Sequence, residues 1–534
     1  MMAIGVNQGG NQGHRAGHAG FLSIIAKNSL ANLAKMAALS LTVLVLPPLL
    51  VRVLDKSTYA TWMLILQIGA YVSLFDGSVQ SAISRFIAHS RGLQDDGYMG
   101  RMLSSAGLVM VGAAGVTAMV TVLGSWQLHH LFPSIPPSLI ADARDALLIF
   151  GISLSLGLPF STLTGAFLGL QMNQVNAVAG SLGRIIGASG AAWAAYEHRS
   201  LTVMALWIAF GNLLQALMFF IAWKRLPLHG MIEWKHITRA AVREFTTFCY
   251  AIFATQLGGV LITGLDLPIV AAFDFRSAAY YAVAVTVSTL LVFPQTAVVN
   301  TLVPVAAEIS ATAAPERLGA LVIKTSRYST AILCLLALPL ALGMSIFLVV
   351  WVGPDYARHA LPMAMILVLA QFLRLTLLPY AAVGFAAGQQ HRMLISPLGE
   401  GIVNLVCSLL GAEYLGAIGV AIGTLIGAVA GVLLHFFNSM PRTDRVSFHR
   451  TKLATSGILQ PVACCLPALI LTFAACHFIS NRMTQSALIC VGELAAALVL
   501  WKTNFDDRER REILDLATRM IRRLSRKSAA ATAI

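Results

Sequence analysis

The chain has 534 residues, of which 57% are hydrophobic and only 11% charged, and its mean hydropathy is +0.76. Water-soluble domains carry about 25% charged residues, so a soluble globular protein is excluded and an all-α polytopic membrane protein is expected. The net charge of +14 does not point to nucleic acid, because the basic residues cluster in alternate loops, as the positive-inside rule requires.

Residues 1–27 open the chain with a stretch rich in Gly, Asn, Gln and His, read as a disordered cytoplasmic tail. No short apolar core with a small-residue cleavage site follows, so no removable signal peptide is expected. Fourteen apolar spans come next, at about 28–50, 58–80, 103–124, 146–170, 175–195, 201–223, 246–272, 278–303, 328–352, 361–386, 393–411, 415–437, 455–479 and 484–501. Each is long enough, at about 1.5 Å per residue, to cross a hydrocarbon core of about 30 Å with some tilt.

The loop charges test that count. Most of the 37 Lys and Arg fall in the loops and tails that a cytoplasmic N-terminus would place inside. These hold Arg85, Arg91 and Arg101, then Lys224, Arg225, Lys235, Arg239 and Arg243, then Arg317, Lys324 and Arg327, and finally Arg442, Arg445, Arg450 and Lys452. The expected outer loops hold far fewer, among them Arg144, Arg199, Arg276 and Arg358. One missed span would reverse every later loop, so the sustained alternation predicts about 14 transmembrane helices with both termini cytoplasmic. The largest outer loop, Gln127 to Asp145, is too short to fold as a domain.

The expected division is a six-helix lobe at 28–223, a cytoplasmic linker at 224–245, a second six-helix lobe at 246–437, a cytoplasmic loop at 438–454, a further helix pair at 455–501 and a basic tail at 502–534. A weak internal repeat supports the two lobes. Leu46-Pro47-Pro48 matches Leu267-Pro268 at an offset of about 220, and Leu182-Gly183-Arg184 matches Leu398-Gly399-Glu400 at a similar offset. Repeated bundles are how many secondary transporters achieve alternating access. Gly419, Gly423, Gly427 and Gly431 recur every fourth residue and predict a helix face that a neighbour approaches closely. In the tail, Ile513, Leu516, Met520 and Leu524 oppose Arg510, Arg519, Arg522, Arg523 and Arg526. That pattern predicts an amphipathic helix over Asp506 to Lys527 on the anionic inner leaflet.

All seven cysteines lie inside apolar runs, which supports neither a disulfide framework nor a zinc site. No Gly-Lys-Ser/Thr phosphate loop is present, so no nucleotide cofactor is expected, and energy must come from a gradient or from substrate supply. The chemistry is sought instead in charges within the spans: Asp76, Arg184, Asp266, Arg374, Glu400 and Glu493. A carboxylate at a bilayer centre costs about 2.5–3.5 kcal/mol on insertion scales. Asp266 stands two residues before Pro268, which would free backbone carbonyls; the other reading is a carboxylate hydrated at the outer interface. Arg184 and Arg374 fall mid-span, where a cation must face protein, water or substrate. An arginine fork binds phosphate well, and the alternative is a structural pair with a buried acid. The repeat places Arg184 and Glu400 at matching positions, so those two are expected to pair across a central cavity when it is closed, with an incoming diphosphate competing with Glu400 for Arg184. Glu493 lies in the terminal helix pair and ranks below the others.

Tyr59-Ala60-Thr61-Trp62, the run Leu74 to Ser78 leading to Ala82-Ile83-Ser84-Arg85-Phe86, Asp266 followed by Tyr280-Tyr281-Ala282-Val283-Ala284, and Gly416 to Ala421 carry a resemblance. Over roughly residues 25–500 the chain resembles the polysaccharide-transport branch of the multidrug/oligosaccharidyl-lipid/polysaccharide (MOP) exporter superfamily, which includes the O-antigen flippases. The resemblance implies flipping of an undecaprenyl-diphosphate-linked oligosaccharide across a bacterial inner membrane, with no enzymatic activity. It implies lipid partners and, beyond them, a polysaccharide polymerase or export machinery. Asp76 and Asp266 sit where members of that family often carry acids. Two other classes stand beside this reading: a multidrug/cation antiporter of the same superfamily, and a membrane glycosyltransferase or polymerase, against which the short outer loops argue.

Overall fold

The computed structural model describes residues 42–226, 232–312, 315–479, 481–507 and 509–511. The expected N-terminal tail lies outside these residues, as does all but the first turn of the expected amphipathic helix. The described chain is helical throughout its length, and ten helical runs are long and apolar enough to cross a membrane. The main helices are α1 (Thr42–Val53), α2 (Lys56–Ala70), α3 (Ser73–Leu93), α4 (Asp96–Trp126), α5 (Pro137–Gly169), α6 (Asn173–Glu197), α7 (Leu201–Lys224), α8 (Arg239–Gly259), α9 (Asp266–Phe273) and α10 (Phe275–Thr289). They continue as α11 (Val292–Thr312), α12 (Pro315–Val352), α13 (Pro354–Thr376), α14 (Leu378–Ala386), α15 (Ile395–Leu415), α16 (Ala417–Leu434), α17 (Gln460–Phe478) and α18 (Arg482–Thr503). The described part of each of the fourteen expected spans is helical, several as two helices in series, such as α8 and α9; residues 28–41 of the first span lie outside the described residues. The chain is an all-α, multi-pass membrane protein.

Polar side chains at the span ends explain where the helices start. Asp55 caps α2 by accepting the amides of Ser57 at 3.0 Å and Thr58 at 3.1 Å, satisfying donors that the first turn leaves open. Asp142 of α5 reaches across to the start of α7, accepting from the Leu201 amide at 2.6 Å and the Thr202 amide at 2.9 Å. At the start of α16, Gly416 adopts φ +61°, and the Asp274 carboxylate lies where a Cβ would stand.

Two compact units form. The first gathers the described residues up to Thr286 with Ser408–Val420, and the second gathers Val287–Cys407 with the described residues from Ala421 onward. In the first, Ile83 and Phe86 of α3, Met102 and Leu103 of α4, Phe167 of α5, Phe219 and Trp223 of α7, and Phe245 of α8 make a continuous core. Two clusters hold the second. One centres on Val322, Tyr380 and Val383; the other joins Cys334 of α12 to Cys465 of α17 and Leu500 of α18. Large apolar side chains also cover the outside. On α4, Val111, Val116, Met119 and Val120 are all more than half exposed, as a surface solvated by lipid rather than water requires.

Glycines set the closest helix pairs. Gly183 and Gly187 of α6 meet the backbone of α7 at Gly211, and Gly190 of α6 lies under the Trp207 indole. In the first unit Gly419 packs on Gly411; in the second, Gly427 packs on Asn404 and Gly431 on Glu400. The predicted glycine stripe of α16 is therefore the face that seats α15. Such small residues let backbones approach where lipid supplies no hydrophobic drive for association.

Candidate functional site

The charged residues picked out in the spans occupy several distinct polar places within the two units. The first is a break in the seventh expected span. After α8 the chain makes a wide π turn over Val260–Gly264, and α9 starts at Asp266. Pro268 has no N–H to offer the carbonyl four residues back, which belongs to Gly264. That carbonyl instead accepts the Tyr71 hydroxyl at 2.5 Å and the Gln67 side-chain amide at 3.1 Å. Regular α-helical bonding resumes one residue later, with the Ile269 amide donating to the Leu265 carbonyl at 3.0 Å. Asp266 sits at this junction, only 4% exposed, within electrostatic reach of the Tyr71 hydroxyl. The break is thus a built feature, with the freed acceptor satisfied from the neighbouring segment.

Asp76 of α3 lines a second place, a cavity of about 100 Å³ within the first unit. Its carboxylate accepts from the Gln80 amide at 2.7 Å and from the Ser161 hydroxyl of α5. Opposite, the Asn212 amide of α7 donates to the Ser153 hydroxyl at 3.1 Å, and Thr164 and Gln215 complete the polar wall. Gly165 and Gly169 of α5 allow this arrangement, because they lie directly on the backbone of α3 at Gln80 and Ser84.

The third place is in the second unit. Arg374 of α13 donates through Nε to Glu400 of α15 at 2.6 Å and through Nη1 to Gln371 at 2.9 Å. Glu400 is 5% exposed, and the absent side chain of Gly431 makes the space for its carboxylate. Arg374 Nη2 is buried without a hydrogen-bond partner among the described residues.

In this structure the ion-pair partner of Glu400 is Arg374. Gly183 packs on the backbone of α7 at Gly211, and Gly399, which the repeat match aligns with it, meets Leu434 of α16. Arg184 has an exposed side chain on α6 and no ion pair among the described residues. Glu493 is half-buried on α18. The sequence reading passed over Gln67, Tyr71, Ser161, Asn212 and Gln371. Gln371 lies three residues before Arg374, so helical spacing alone could have found it.

The fold is two all-helical units with interrupted membrane-length helices and buried polar groups. Solved structures with this fold include "Lipid II flippase MurJ, inward closed conformation", with a TM-score of 0.66, 16% identity, and coverage of 89% of this chain and 98% of that one. A multidrug resistance MATE family transporter of the MOP superfamily, in an inward-facing conformation, has a TM-score of 0.64 and 12% identity, covering 78% of this chain and 98% of that one. A Vibrio cholerae MATE transporter has a TM-score of 0.54 and 14% identity, covering 79% of this chain and 97% of that one. No protein-family model and no curated protein sequence matches the chain.

Proposed function

We propose that this protein is a secondary transporter that flips an undecaprenyl-diphosphate-linked oligosaccharide across a bacterial inner membrane by alternating access. It would feed a polysaccharide polymerase or export machinery on the far side. The observation that carries the reading is the state of the charges. Among the acids within the spans, Glu400 is neutralised by Arg374 and Asp76 is held by Gln80 and Ser161. Arg184 is exposed, mid-span and without an ion pair among the described residues. A cation so placed suits an anionic diphosphate better than a cationic drug. The fold shared with a lipid II flippase supports the same reading.

A second reading, a multidrug/cation antiporter, rests on the likeness to a MATE transporter, which covers 78% of this chain against 89% for the lipid II flippase. Proteoliposomes separate the two. Flipping of a fluorescent undecaprenyl-diphosphate-linked oligosaccharide is expected, with Arg184→Gln strongly impaired. Cation-coupled efflux of a cationic dye without lipid flipping would reject the proposal in favour of the antiporter.

A further inference from the structure

A groove of about 390 Å³ opens on the first unit between α4, α5 and α7, with the segment after α7 closing one end. Its walls are Leu108, Val111, Phe160, Leu163, Phe220 and Trp223. Pro159 and Gly107 shape it. Pro159 removes a rung from the α5 hydrogen-bond ladder, and no heavy atom lies within 4 Å of where a Cβ on Gly107 would stand. The closed end has a different character. There the Glu233 amide donates to the Ser104 hydroxyl at 3.1 Å, fixing the segment against α4, and Trp234 stands 77% exposed.

The charges at that end are unequal. Glu233 is neutralised by an ion pair with Lys235. Lys224 lines the groove with its ammonium 5.1 Å from the Phe220 ring and has no carboxylate partner among the described residues. Arg225 follows it, exposed. An apolar slot that ends in uncompensated positive charge beside an exposed tryptophan has the polarity of an amphiphile with an anionic head. The basic loops put this end on the cytoplasmic side, where anionic lipids attract Lys and Arg. The volume falls in the range of small-ligand sites, about 300–1,000 Å³, and suits one chain rather than a whole diacyl tail pair.

We propose that this groove is a binding site for an anionic phospholipid, one acyl chain lying past Gly107 and Phe160 and the phosphate at Lys224. The groove is distinct from the three polar places described above: its cationic end belongs to none of them, and among its named walls Phe160 alone also lines the Asp76 cavity.

The test uses the purified full chain in detergent, titrated with phosphatidylglycerol or with phosphatidylcholine of the same acyl chains, with bound lipid counted by native mass spectrometry. One phosphatidylglycerol is expected to bind about tenfold more tightly than phosphatidylcholine. Gly107→Leu, whose Cβ has no heavy atom within 4 Å and whose side chain would project into the slot, should weaken both lipids. Lys224→Gln should bring phosphatidylglycerol down to the phosphatidylcholine level. Equal binding of the two lipids by the wild type, or unchanged binding by Gly107→Leu, would overturn the proposal. So would displacement of phosphatidylglycerol by equimolar undecaprenyl phosphate, which would make the groove a polyprenyl site instead.

Discussion

The Glu400 carboxylate occupies the space that Gly431 leaves empty: a Cβ on Gly431 would strike Oε2 and crowd Cδ at 2.7 Å. Adding one methyl group there forces the carboxylate away from Arg374, and a buried pair that loses one partner costs about 3–5 kcal/mol. Gly431→Ala and Glu400→Ala should therefore each lower the melting temperature of the purified protein markedly. In the Glu400→Ala background, Gly431→Ala should cost less, because Oε2 and Cδ are gone and only the Cβ at position 400, at 3.1 Å, remains. A coupling of about 0.5–3 kcal/mol is expected; strictly additive losses would show that the two residues do not share this space.

The Tyr71 hydroxyl and Gln67 amide replace the hydrogen bond that Pro268 cannot make to Gly264. Tyr71→Phe should cost about 1 kcal/mol, and Tyr71→Phe with Gln67→Leu more, since the carbonyl is then stranded. Pro268→Ala restores an N–H one residue before regular bonding resumes at Ile269. It should recover stability in the double variant and not in the wild type. Asp266→Asn keeps the shape of this junction and removes its charge. We expect normal expression and loss of flipping; flipping at the wild-type rate would leave Asp266 without a transport role.

Glu509 fastens the start of the C-terminal segment to α12, with its oxygens 3.0 Å from Lys324 Nζ and 3.0 Å from Arg327 Nη2, and with Phe505 stacked on Tyr328. Burial alone would raise the carboxyl pKa, but Tyr328, the Asp506 amide, Lys324 and Arg327 outweigh it and hold the group at about 2. An unperturbed glutamate titrates near 4.3. The folded value lies below the unfolded one, so the contribution is complete above about pH 4.3 and is lost as pH falls through about 2. The melting temperature of the wild type should exceed that of Glu509→Gln by a constant amount above about pH 5. The gap should close between about pH 4.3 and 2. A gap that persists below about pH 2 would assign the effect to packing rather than charge. At neutral pH the charge-assisted bonds correspond to about 1.5–3 kcal/mol of local docking.

The helical class was readable from composition, and the spans from their length, because twenty apolar residues in lipid have few other ways to satisfy their backbone. The break at Asp266 was readable too, since proline removes a known donor. Its two satisfying partners were not, because Gln67 and Tyr71 lie nearly two hundred residues upstream and only the fold brings them there. A structural pair with a buried acid was one of the two sequence readings of Arg374, but the acid, Glu400, could not be named. Both charges stood out against lipid, but a repeat match does not specify helix rotation, and one residue turns a helical side chain by about 100°. Glycine spacing carried more information than charge here: the period of four in α16 names the face that meets α15.

The last prediction uses a difference between glycines. Gly169 of α5 lies against α3, where a Cβ would come 2.8 Å from both the Ser84 carbonyl and the Ile87 Cβ. Neither neighbour is the free end of a flexible side chain, so α3 and α5 must part to admit a methyl group. That separation would also draw Asp76 from Ser161, which lies on the same helix as Gly169. Gly112 and Gly115 of α4 face open space, with no heavy atom within 4 Å of where a Cβ would stand on either. Both lie in a helix interior, where alanine is favoured by about 0.5–1 kcal/mol. Gly112→Ala and Gly115→Ala should therefore leave melting unchanged or raise it. Gly169→Ala should lower it, by about 1–3 kcal/mol as for overpacking in a dense core, and should impair flipping through the Asp76 cavity. If all three variants behaved alike, helix propensity rather than contact between α3 and α5 would govern these glycines.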